Sequence, residues 1–136
     1  MTVATNASLI DWKVLAAARI ELGANFVRIL GYFREDGEKA VGSIESAMRA
    51  QNAAALVIPA HTLKGEARQF GAESLAEAAE TIEVIARDCV ETRDTPDAAL
   101  EAVAGLRALF RQTLELLERE TSPLVERRPG FGRRAV

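Results

Sequence analysis

The chain has 136 residues, 49% apolar and 27% charged, with a formal net charge of −3. That length fits one domain around one core, and the composition is that of a globular chain rather than a disordered one. The charge is too mild for nucleic acid as the main partner, the single cysteine excludes an internal disulfide, and no apolar run approaches the roughly 18 residues of a membrane span.

The N-terminus "MTVATNASLIDWK" has no basic region followed by an apolar run, so it does not read as a signal peptide. A cytoplasmic location is expected by exclusion. Aromatics are scarce at 5%, and period-two alternation does not occur. An all-α protein is therefore expected.

In chain order, Ser8 or Asp11 can cap a first short helix through "DWKVLAAAR", which Leu22-Gly23 interrupts. A long helix follows from about Asn25 to Arg49. Its apolar stripe is Phe26, Leu30, Phe33, Val41, Ile44 and Met48, with Gly37 in the gap. Glycine costs about 1 kcal/mol there relative to alanine, which points to a bend or a close helix contact.

Asn52 suits the cap of the next helix, whose stripe is Leu56, Ala60, Leu63, Ala67 and Phe70, ending near Gly71. Pro59 interrupts the pattern, and a kink or a late helix start is expected. The following helix carries Leu75, Ala78, Ile82, Ile85 and Cys89. Then Thr95 reads as a cap, Pro96 as the first helical position and Asp97 as a carboxylate at the positive end of the dipole. The last helix uses Leu100, Val103, Leu106, Phe110, Leu114 and Leu117.

Four amphipathic helices with short connections predict an antiparallel four-helix bundle, with the short N-terminal helix across one end. The domain is expected over residues 1–121. Residues 122–136 read as a basic, aperiodic tail, with Arg127, Arg128, Arg133 and Arg134 against Glu126. "GFGRRA" in that tail imitates a dinucleotide fingerprint but follows no strand, so it is set aside. Trp12 and Tyr32 read as packing residues, and Cys89 as a structural one. One histidine and one cysteine cannot form a zinc cage.

The chemistry concentrates in "AHTLKGEARQFGAESL", which holds His61, the chain's single histidine. Consecutive helical residues are about 100° apart, so His61, next to Ala60 of the core stripe, falls on the flank or outer face. Lys64 and Gly65 lie one turn on, Arg68 two turns on, and Val57 and Ile58 one turn back. An imidazole with an ordinary pKa near about 6.5 is a nucleophile at cellular pH. A phosphoryl group on it would bring about two negative charges, for which Lys64 offers compensation. Gly65 removes bulk where that group or a partner must fit. The opposing reading of the spacing alone is a surface histidine without a role on a solvated cationic face.

The string His61, Leu63, Lys64, Gly65, Phe70, Gly71, Ala72, Leu75, Ile82 and Glu83 resembles the histidine-containing phosphotransfer (HPt) domain family. The similarity extends more weakly over about residues 9–120 and leaves out the tail. The resemblance implies that His61 accepts a phosphoryl group from a receiver aspartate and passes it to another receiver, with Lys64 and Gly65 shaping the phosphoryl site. It implies no cofactor on this chain, with magnesium on the partner. The implied partners are response-regulator receiver domains, among them that of a hybrid histidine kinase. A monomer is expected, with a docking face at Val57, Ile58, Lys64, Arg68 and Gln69. The chain has no GxxxxGK[ST] loop and reads as a phosphoryl carrier rather than a kinase. A binding-only module that sequesters a receiver or kinase is the alternative.

Two positions depart from the family pattern. Glu66 stands where a small residue, often Ser, is usual. It lies roughly 140° around the helix from His61. It would either repel a phosphoryl group or hydrogen-bond the imidazole. Pro59, two residues before His61, could shift the ring.

Overall fold

The computed structural model describes residues 9–121. Among them are five α-helices and two single 3₁₀ turns, with no strand. α1 spans Trp12–Leu22, α2 Phe26–Arg49, α3 Ala53–Gln69, α4 Glu73–Thr92 and α5 Leu100–Thr121. Each of α2 to α5 packs on its neighbour, and α5 closes the ring against α2. The all-α four-helix bundle with a short additional N-terminal helix is thus the observed fold. None of the described helices is long and apolar enough to cross a membrane.

Local chemistry sets the helix ends. Asp11 caps α1, its Oδ1 accepting from the Lys13 and Val14 amides at 3.1 and 3.3 Å. Ser8 lies outside the described residues. Asn52 Oδ1 accepts from the Ala55 amide at 3.1 Å and starts α3 there. α3 therefore begins well before Pro59 and runs through it, and the late start does not occur. Burying Ala53, Leu56, Ala60 and Leu63 outweighs the roughly 3 kcal/mol an internal proline costs. Ala55, whose carbonyl loses its amide partner to Pro59, is exposed where water can reach it.

Gly71 ends α3 in the left-handed region at φ 75°. A Cβ there would stand 2.6 Å from the Asp11 carbonyl oxygen, and the Asp11 amide donates to the Gly71 carbonyl at 2.7 Å. This contact seats α1 on the end of the bundle. The Arg19 guanidinium also donates to the Glu120 carbonyl and lies over the Phe26 ring.

The core holds a chain of aromatic rings, Phe26–Phe70–Phe33–Phe110, with centroids 5.4 to 5.7 Å apart. Gly37 resolves as the close contact rather than a bend signal: a Cβ there would overlap the Phe110 ring.

Several register assignments shift. The buried stripe of α4 is Leu75, Ala76, Ala79, Ile82, Glu83 and Ala86, whereas Ala78, Ile85 and Cys89 are half-buried. The Cys89 thiol donates to the Thr95 carbonyl. Thr95 does not cap; Pro96 precedes a 3₁₀ turn over Asp97–Ala99, and Leu100, counted with the core, is exposed while Ala99 is buried. A tight turn rotates the chain before α5 begins, which is why the stripe starts one residue early. Trp12 and Tyr32 are exposed rather than packed. The 122–136 tail lies outside the described residues.

Candidate functional site

α3 and α4 lie side by side, and α3 turns His61 to the seam between them. The His61 side chain is 57% exposed. Its Nδ1 lies 3.0 Å from Oε2 of Glu83 on α4, a residue whose own side chain is 6% exposed. Arg87, one turn on, donates to the same oxygen through Nε at 2.9 Å, and its Nη2 forms an ion pair with that oxygen at 2.8 Å. Lys64 Nζ stands 2.8 Å from Oε1, as an ion pair rather than a well-aligned hydrogen bond. Three basic side chains thus converge on one buried carboxylate.

Burial raises the Glu83 pKa; the cationic and hydrogen-bonding contacts of Lys64, Arg87 and His61 together outweigh it and bring the carboxyl down to about 2. At neutral pH the carboxylate is ionised and can only accept. The proton in the 3.0 Å contact therefore sits on His61 Nδ1. In the neutral ring that leaves the Nε2 lone pair free.

The residues expected from sequence divide into two groups. His61 and Lys64 come together on Glu83, and Gly65 is exposed with no neighbouring atom where a Cβ would stand. Arg68 is instead paired with Glu80 at 2.7 Å. Val57 is half-buried against the core and Ile58 is 69% exposed, lining the grooves on both sides of α3. Gln69 is exposed two turns beyond His61. Glu66 does not reach the imidazole; it faces the side of Asp36 on α2, and its Oε1 is shut off from solvent with no hydrogen-bond partner. Burial first, and then the Asp36 charge, raise the Glu66 carboxyl to about 6. Among the described residues no cluster of three or more His, Cys, Asp or Glu could hold a metal.

Glu83 and Arg87 are the functional residues the spacing argument passed over. Glu83 appears in the family string but without a role. Two signals could have found it: a carboxylate one residue past Ile82 of the buried stripe, which needs partners, and its i,i+4 spacing to Arg87.

The protein-family model "Hpt domain" matches residues 28–120, more than half of the chain. The chain belongs to the Hpt domain family. Its fold is similar to the crystal structure of histidine-containing phosphotransfer protein B (HptB) from Pseudomonas aeruginosa PAO1, at 27% sequence identity and a TM-score of 0.74. The match covers 85% of this chain and 96% of that one. No curated protein matches the chain. As an Hpt domain the chain has a histidine phosphotransfer role in phosphorelay, with response-regulator receiver domains as the partner class.

Proposed function

We propose that His61 Nε2 is the phosphoryl acceptor and donor of this Hpt domain, taking the group from the aspartyl phosphate of one receiver and giving it to the aspartate of another. The observation that carries this is the exposed ring whose Nδ1 proton is held by Glu83 at 3.0 Å. In the forward step the Nε2 lone pair forms the N–P bond while the P–O bond to the receiver aspartate breaks, and that carboxylate leaves. The ring gains positive charge, and the Nδ1–H···Glu83 contact stabilises it. The return step is the reverse, with a second receiver carboxylate as nucleophile. Positioning and charge compensation carry such transfers.

Lys64 and Arg87 supply the compensation. Both are within ion-pair distance of Glu83, and both have the length to turn from it to the phosphoryl oxygens one turn away. Arg87 is the more exposed of the two and offers a planar fork. Gly65 leaves room above the helix for the incoming group. The receiver docks over Ile58 and Gly65, with Val57, Arg68 and Gln69 at its edges, and brings the divalent cation and acidic pocket. A hybrid kinase receiver serves as donor, the working unit is a monomer, and the compartment is the cytoplasm.

Incubation with a receiver charged by acetyl phosphate tests the reading. Acid-labile, base-stable label should appear on the chain and vanish in His61→Ala. Tight receiver binding with no label would replace the relay with a sequestering module.

A further inference from the structure

α1 is apolar on two sides. Leu15 and Ala18 are buried against the core. Trp12, Ala16 and Ile20, spaced four residues apart, form a second apolar stripe on the side away from it, and all three are exposed, Ile20 at 83%. At 1.5 Å per residue the stripe is roughly 12 Å long. Val27, next to Phe26 in the first turn of α2, is exposed as well. A helix that is apolar around most of its circumference belongs under cover rather than against water. The end of α5 lies beside this stripe. The Arg19 guanidinium donates to the Glu120 carbonyl at 3.2 Å, so the chain leaves the bundle at Thr121 next to Ile20. Pro123 then breaks the helical pattern, Leu124 and Val125 follow, and Phe131 comes further on. At roughly 3.5 Å per residue, Leu124 lies within roughly 10 Å of Thr121 and Phe131 within roughly 35 Å, enough to run from Ile20 to Trp12. Between them come Arg127 and Arg128, within reach of Glu21, which is exposed beside Ile20. Residues 1–8 join α1 at its Trp12 end and hold only Met1 and Val3 as large apolar residues.

We propose that residues 122–136 fold back along α1 and cover Trp12, Ala16 and Ile20 with Leu124, Val125 and Phe131. The inference is independent of the phosphotransfer reading. Removal of apolar surface from water on both partners drives the contact. The segment is tethered beside its seat, so its effective concentration there is on the order of millimolar. A second copy of the chain, at ordinary concentration, loses that competition. The tail thus closes the apolar face of α1 to self-association.

Trp12 is the chain's one tryptophan, so its fluorescence reports on this face alone. The test compares the full-length wild type with a full-length variant in which Leu124, Val125 and Phe131 are all replaced by Ser. In the variant the emission should move to the red and quenching by acrylamide should rise roughly twofold, because the ring passes from apolar surroundings to water. Ile20→Ser removes the seat rather than the cover and should give the same changes; Ile20 is exposed on the bundle, so its loss leaves the fold intact. Trp12 as open to acrylamide in wild type as in the variants overturns the inference. Shielding that persists in the tail variant also overturns it, and loss of that shielding on dilution then assigns the face to a second copy of the chain.

Discussion

Glu83 on α4 holds His61 on α3 through a 3.0 Å contact to Nδ1, across 22 residues of sequence. The contact does two things. It orients a half-exposed ring, and it fixes which ring nitrogen carries the proton. Because Arg87 and Lys64 share the same carboxylate, the charge that orients the ring also stores two cations beside it.

Glu83→Gln tests the first role. The amide keeps the shape and an acceptor oxygen but loses the charge, and the buried cluster should lose about 1–3 kcal/mol of stability. The ring ¹⁵N spectrum should shift from the Nδ1–H tautomer toward a mixture. An unchanged tautomer would mean that Glu83 does not set it.

Stability should depend on pH with two opposed limbs. Glu83 has a folded pKa of about 2 against an ordinary carboxyl value of 4.5. Its stabilisation is present above the unfolded value and is lost as pH falls through about 2. The Glu45 carboxyl, lowered first by its hydrogen bond from Arg107, adds to the same acid limb. Glu66 is raised to about 6, so its contribution is present below the unfolded value and is lost as pH rises through about 6. Urea melts from acid to neutral pH should show both limbs. Glu66→Gln should flatten the upper limb only.

Gly65→Ala and Gly37→Ala should diverge. At position 65 a methyl group meets nothing in the chain, so the fold should gain about 0.5–1 kcal/mol from helix propensity. Transfer from the receiver should slow all the same. At position 37 the methyl group meets the fully buried Phe110 ring and should cost about 1–3 kcal/mol through overpacking. Equal effects at the two sites in thermal melts would contradict the packing described.

Leu63→Ala and Ile82→Ala each remove a fully buried side chain and should cost about 2–5 kcal/mol by denaturant unfolding. His61→Ala, which trims a mostly exposed ring and leaves Glu83 two cations, should stay within about 1 kcal/mol of wild type.

The sequence made the bundle legible because burial imposes its period directly. Phe26, Leu30, Phe33, Val41 and Ile44 follow it, and all are buried. It misplaced Leu100 and Cys89, since a 3₁₀ turn and an alanine-rich stripe shift register without changing composition. At the site, His61, Lys64 and Gly65 share one helix, so spacing finds them. Glu83 and Arg87 reach them only through the packing of α3 on α4, which no spacing within α3 encodes. Glu66 was visible as a misfit, but the Asp36 charge that acts on it lies on α2, again beyond local geometry.

The most direct measurement is phosphorus–nitrogen correlation spectroscopy on the chain after phosphorylation by a charged receiver. The expected product is a single phosphoramidate at Nε2 of His61, with Nδ1 still protonated against Glu83. Phosphate on Nδ1, on any other residue, or persisting in His61→Ala would contradict it.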